Sequence, residues 1–308
     1  MKRWLIKSEE ALYSKDYPGA RSIDEHLKKG MIILDKPSGP TSRQIDLWVK
    51  EITGVKKCSH GGTLDPRASG VLVIALEKST KLMPILLSSK KEYIGVVNLH
   101  KEISSSLVKK ACKKLVGKIT QLPPVKSSVA RKERKRIIYN LDVLEIDGRN
   151  ILIRVKCEAG TYIRRLAEQI GKELGVDAHL QELRRISSGG FTEDMCVTLQ
   201  DVFKAFKKGN IKDVVRPLEV IGDNIKTAIV KSKAAINIRK GAPLYTGGII
   251  RIENNIKNGD FVAMFDASGT MIGFGTAKMT SKDMIRKKGI AVKTDRIIWP
   301  IVNNKSYY

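Results

Sequence analysis

His60-Gly61-Gly62-Thr63-Leu64-Asp65-Pro66, with the apolar run Val71-Leu72-Val73-Ile74-Ala75-Leu76 close behind it, is the stretch from which the chain is best read. An unbroken apolar run just after a turn signal predicts a buried strand. Glycines let the backbone turn tightly and approach a ligand closely. Pro66 fixes its own φ and biases Asp65 toward an extended conformation. The stretch therefore sets one carboxylate on a stiff loop at the mouth of a buried strand, a place for a nucleophile or a general base. On its own it fits a turn aspartate bonded to its own backbone equally well, so the rest of the chain must decide.

Toward the N-terminus, the apolar run Met31 to Asp35 ends in the turn-rich loop Lys36-Pro37-Ser38-Gly39-Pro40. Thr41 or Ser42 can then cap a helix whose apolar face is Ile45, Trp48, Val49 and Ile52. Toward the C-terminus, Glu92 to Leu99 reads as a second strand, and Ser105 to Val116 as an amphipathic helix with Leu107, Ala111, Cys112 and Leu115 inward. Ile151 to Cys157 alternates as a strand, and Thr161 to Leu174 is a helix with Ile163, Leu166, Ala167, Ile170 and Leu174 on one face. Strands and helices mix without βαβ alternation, so the fold class is α+β, with helices decorating a mixed or antiparallel sheet. From about Lys226 the texture changes to short strand-like runs between glycine turns, the pattern of a small β-barrel. A chain of 308 residues accommodates two domains, and the boundary falls near Gly222. Residues 1–21, polar and irregular, read as an arm that docks elsewhere.

The formal net charge of +25 calls for a polyanionic partner, and a nucleic-acid backbone is the usual one. The charge is spread, with a net of +10 from Lys226 onward and +15 before it. The segment Lys126 to Arg136, with Lys126 and Arg131 among its six basic residues, opposes them with Glu133 alone. The longest apolar run has six residues, against roughly 20 for a membrane-spanning helix. The opening Met1-Lys2-Arg3-Trp4-Leu5-Ile6-Lys7 returns to charge too soon for a signal peptide, so a cytoplasmic protein is expected. Four cysteines 54, 45 and 39 residues apart, and four scattered histidines, form no metal-ligand spacing, so no bound metal is expected.

Six motifs occur in order: Lys36 to Ser42, His60 to Pro66, Lys91-Glu92-Tyr93, Pro123-Pro124-Val125-Lys126-Ser127, Gly160-Thr161-Tyr162-Ile163-Arg164, and Ala178-His179-Leu180-Gln181-Glu182-Leu183-Arg184-Arg185. Together they resemble the TruB family of pseudouridine synthases, and within it the archaeal dyskerin-like catalytic subunits of H/ACA ribonucleoproteins. The later segment from Ala235 through Gly241-Ala242-Pro243-Leu244 to Ile272-Gly273-Phe274-Gly275 resembles a PUA domain, a small RNA-binding β-barrel. The resemblance implies an arm over residues 1–21 docked on the PUA domain, a catalytic domain over 22–221 and a PUA domain over 222–308.

The resemblance also implies the activity: isomerisation of uridine to pseudouridine, in rRNA with an H/ACA guide RNA, and in the tRNA T-loop without one as a further substrate. Partners would be RNA and the small H/ACA proteins. The reaction exchanges no electrons and takes in no outside atoms, so no cofactor is expected. Asp65 would be the catalytic carboxylate, attacking the anomeric carbon or the uracil ring, or acting as a base. Arg164 would be its partner, a guanidinium that keeps a buried aspartate ionised. Tyr93 would stack on the extruded base. Tyr162 would form the pocket floor and handle a proton, with Leu183 lining the pocket beside it. His60 would help open the RNA, Lys36 would support the loop near the substrate, and Lys126 and Arg131 would hold phosphates. The alternative is a scaffold of the same fold that binds RNA without chemistry.

Overall fold

The computed structural model describes residues 4–7, 21–124, 130 and 132–299. They fall into two compact units: one is built from Ile32–Ala75 and Leu82–Val214, the other from the residues through Met31, Leu76–Lys81 and those from Val215 on.

The larger unit is organised by a mixed sheet. Its strands lie in the spatial order Gly30–Lys36, Ser69–Leu76, Ala178–Ser188, Lys91–Leu99, Asn150–Cys157, Arg134–Asp147 and Gly117–Gln121. Ser69–Leu76 runs parallel to Ala178–Ser188, and the pairs that follow are antiparallel. The apolar run at Val71 to Leu76 is fully buried, as its composition requires. Lys91–Leu99 alternates buried and half-buried residues along its whole length, the period of two that a sheet with unlike faces imposes.

The helix Ser42–Thr53 opens with a capping box in which the Thr41 hydroxyl accepts from the Gln44 amide and the Gln44 side chain accepts from the Thr41 amide. It ends at Gly54, whose φ of 69° is the left-handed cap a glycine supplies. Ile45 and Val49 face the core, but Trp48 is exposed, contrary to the expected face. A similar slip affects Ser105–Lys114, where Val108, Ala111 and Cys112 are buried and Leu107 points outward. Ile163–Leu174 matches its expected stripe, with Ile163, Leu166, Ala167 and Ile170 buried. It packs against Ala178–Ser188, so its first turn and that strand approach the same region of the sheet.

The second unit is a seven-stranded curled sheet, a half-barrel in the order Trp4–Ile6, Ile249–Glu253, Lys226–Val230, Phe261–Phe265, Met271–Ala277, Ile290–Ile297 and Leu244–Tyr245. Its core is aliphatic, with Val230, Ile249, Ile252, Val262, Met264, Ile272 and Val292 all buried. A Cβ at Gly275 would lie 2.0 Å from the Lys293 carbonyl oxygen, so the tight curl admits only glycine there. Trp4–Ile6 adds an antiparallel edge strand through Trp4 opposite Glu253 and Ile6 opposite Arg251. In the same unit Arg21 forms a buried fork on Glu219, at 3.0 and 2.5 Å. Among the described residues no helix is long and apolar enough to cross a membrane.

Candidate active site

The loop that carries Asp65 is bound along its length to neighbours that the sequence places around it. The Ser42 hydroxyl, in the first turn of its helix, accepts from the Leu64 amide at 2.9 Å and donates to the Leu64 carbonyl at 3.0 Å. The Gly39 amide donates to the Pro66 carbonyl at 2.8 Å, and the Ser38 hydroxyl to the Arg67 carbonyl at 3.0 Å. Lys36 is fully buried, and its ammonium donates to the carbonyls of Pro37, Pro66 and Ala68 at 2.8, 3.0 and 2.7 Å. An ammonium has three N–H donors, so none is left for a nucleotide. In this arrangement Lys36 supports the loop that carries Asp65, the role expected of it near the substrate. Burial, with the Arg185 charge nearby, draws its pKa below the ordinary lysine value, and Asp65 pulls in the other direction.

Asp65 and Arg164 meet as a fork: Nη2 donates to Oδ1 at 3.0 Å and Nε lies 3.0 Å from Oδ2. Arg164 projects from the first turn of Ile163–Leu174, 99 positions along the chain. The expectation of a buried aspartate is not met, since 45% of the Asp65 side chain and 51% of the Arg164 side chain are open to solvent. Such a pair adds little to stability. A bidentate guanidinium fixes the plane of a carboxylate, however, which a point charge cannot do.

Tyr93 lies on Lys91–Leu99, 8% exposed and part of the core cluster that also holds Leu64 and Ala68. Burial raises the pKa of its phenol, while the charge of the nearby Arg185 guanidinium acts against the rise. Asp65 is near enough to act on the same phenol. Leu183, opposite Gly95 in the sheet, packs against that core cluster. Tyr162 is half-buried at the N-cap of the Arg164 helix. Its amide donates to the Gln121 side chain at 3.0 Å, and its carbonyl accepts from the same side chain at 3.2 Å. Both ring nitrogens of His60 are engaged, Nδ1 at 2.7 Å from Asp46 Oδ2 and Nε2 at 3.1 Å from Thr63 Oγ1. Lys126 and Arg131 lie outside the described residues.

The structure thus gathers Asp65, Arg164, Tyr93 and Lys36 around one loop, with His60 at the loop's entry and Tyr162 two residues ahead of Arg164. Sequence reasoning overlooked Ser42, Asp46 and Gln121, which position these groups, and gave no role to Arg185. Arg185 had a signal, because it closes the sixth motif. Its burial to 1% exposure could not be read from its type, since arginine is seldom buried. Among the described residues no group of three or more histidine, cysteine or acidic side chains could hold a metal ion.

Comparison with known proteins agrees with this geometry. Residues 50–163 match the N-terminal domain of TruB family pseudouridylate synthases, 164–221 the C-terminal domain of tRNA pseudouridylate synthase B, 226–298 a PUA domain and 13–45 a DKCLD domain. A probable tRNA pseudouridine synthase B of Methanopyrus kandleri is 44% identical over 289 residues, covering 91% of this chain and 86% of that protein. One from Nanoarchaeum equitans is 44% identical over 304 residues, covering 96% and 87%. Among solved structures, a Cbf5-Nop10-Gar1 complex aligns with a TM-score of 0.90 at 40% identity, covering 97% of this chain and 95% of that one. An H/ACA ribonucleoprotein bound to a substrate RNA containing 2'-deoxyuridine aligns at 0.87 and 38%, with the same coverage. Both the ordered motifs and the whole-chain likeness lead to one assignment: the chain belongs to the TruB family of pseudouridine synthases and is an isomerase of RNA uridine.

Proposed function

We propose that this pseudouridine synthase works as the catalytic subunit of an H/ACA-type ribonucleoprotein, with Asp65 as its catalytic carboxylate. The Asp65–Arg164 fork carries the reading, because it aims an accessible carboxylate from a loop that is pinned on both sides. The reaction breaks the bond from the ribose anomeric carbon to uracil N1, turns the base and joins the same carbon to C5. The C5 proton leaves and N1 gains one, so atoms and electrons balance within the nucleotide and solvent. Asp65 can serve as the group that attacks the anomeric carbon or the ring, or as the base that starts the sequence. Tyr93 and Leu183 would border the base, and Tyr162, at the N-cap of the Arg164 helix, would exchange a proton through its hydroxyl.

The partner reading rests on relatives solved with Nop10, with Gar1 and with substrate RNA. By that likeness this chain takes an H/ACA guide RNA, small proteins of the Nop10 and Gar1 kind, and rRNA as target, with tRNA as a substrate not needing a guide. The basic segment from Lys126 to Arg136 supplies phosphate contacts, and the PUA domain, with the residue 1–21 arm docked on it, holds a more distant RNA feature. The enzyme then acts in the cytoplasm, where those RNAs are.

The test is Asp65→Asn, assayed on guide–target RNA with partner proteins present and on tRNA transcript alone. Product should become undetectable while RNA affinity stays within about threefold of wild type. Equal turnover by wild type and variant would remove Asp65 from its role. Absence of turnover by both would leave the scaffold reading in possession.

A further inference from the structure

Among the described residues Arg185 is the largest fully buried side chain. It stands on Ala178–Ser188, and among the described residues no carboxylate pairs with it. A buried cation without a counter-ion is costly unless its donors are satisfied. Those donors are spent in a distinctive way. Nε donates to the Val71 carbonyl at 2.7 Å and Nη2 to the Gly62 carbonyl at 2.9 Å. Gly62 and Val71 bracket Asp65, so one guanidinium ties the entry and the exit of the loop together. Across the paired strands Tyr93 lies directly opposite Arg185, so the two side chains share one face of the sheet and the guanidinium charge acts on the phenol.

The surrounding backbone is shaped to let this happen. Gly70 has φ 100°, and a Cβ there would lie 2.2 Å from the Arg185 carbonyl oxygen. Gly62 has φ 129°, and its missing Cβ faces the Arg185 Nη1 and Lys91 side chains. Two positive-φ glycines therefore bring both loop ends against the arginine.

We propose that Arg185 is the positioning residue of the active site, setting the distance and angle between the Tyr93 ring and the Asp65 loop. The proposal rests on the functional reading above, in which those two groups face the reacting nucleotide. Arg185 is too deeply buried to touch RNA, so its effect is transmitted through Tyr93 and the Gly62 carbonyl. A displacement of about 1 Å in such a constellation can cost a hundredfold in rate without weakening binding.

Arg185→Lys keeps the charge and loses the planar fork. In the holoenzyme assay, run well below the measured melting temperature, its kcat should fall about 10- to 100-fold while KM for RNA stays within about threefold. In a Tyr93→Phe background the same substitution should cost much less, because the guanidinium no longer has a phenol opposite it to position. An unchanged kcat, or a loss that is fully additive with Tyr93→Phe, would overturn the proposal. If Arg185→Lys does not fold, Tyr93→Phe alone decides. It leaves the core filled and removes only the hydroxyl on which the Arg185 charge acts, so it must lower kcat by about fivefold or more, and full activity would refute the inference. Failure of the Asp65 assignment is separately visible, as turnover by Asp65→Asn.

Discussion

A half-exposed ion pair contributes at most about 1 kcal/mol to folding, and the Asp65–Arg164 fork is such a pair. On the proposed reading its value lies in aiming the carboxylate. Arg164→Lys should therefore move the thermal midpoint by no more than a few degrees yet lower single-turnover rate about 10- to 100-fold; calorimetry beside rapid-quench kinetics would separate the two effects. At this scale the sequence was informative where two motifs were expected to meet, as at Asp65 and Arg164, and where a lysine followed by Pro-Ser-Gly-Pro pointed to a loop support, as at Lys36. It was silent where the same residue type has two fates. Nothing in the letters distinguishes Arg184, half-exposed and forked on Asp35, from its neighbour Arg185, which is buried and bonded to carbonyls. Alternation along the strand sends the two side chains to opposite faces.

Elements were legible in proportion to their apolar content. The runs at Val71, Glu92 and Ile151 became Ser69–Leu76, Lys91–Leu99 and Asn150–Cys157 almost unaltered. Ala178–Ser188 escaped sequence reading, although it lies between two of them, because its histidine, glutamine, glutamate and arginines mask the period of two. One of these polar side chains, Arg185, is bonded to both ends of the Asp65 loop, so a polar residue stands at a buried position of the strand. The helix faces at Trp48 and Leu107 failed because an apolar residue at a boundary position costs little when left in water.

Lys91, which opens its strand, gives an element-scale test. Its ammonium donates to the carbonyls of Leu86, Leu87 and Ser89, and burial, aided by the Arg185 charge, lowers it to about 8 from an ordinary 10.5. The unfolded chain thus holds more protons than the folded one between those values. The cost of burying the charge is present in full below pH 8, so this residue's contribution makes the protein more stable as pH rises from about 8 toward 10.5. The unfolding free energy of wild type, from urea titrations, should climb relative to Lys91→Met across that window, by an amount of the order of a few kcal/mol at its end; parallel curves would contradict the assignment.

For the whole molecule, composition already told which class of partner to expect, and the α+β organisation followed from the order of strands and helices. With +25 of formal charge spread over both halves, RNA affinity should drop by about 100-fold or more between 50 and 200 mM salt. Filter binding with catalytically inactive protein would measure it, and a flat response would mean that phosphates are not the main contact. The edge strand Trp4–Ile6 has a consequence of another kind. Its partner Glu253 follows Trp4 by 249 positions. On a ribosome adding roughly 5–20 residues each second, the strand waits about 12–50 s for its mate to be made. The strand thus leaves the exit tunnel well before its mate, and until the two pair Ile249–Glu253 keeps an open edge that a neighbouring nascent chain could occupy instead.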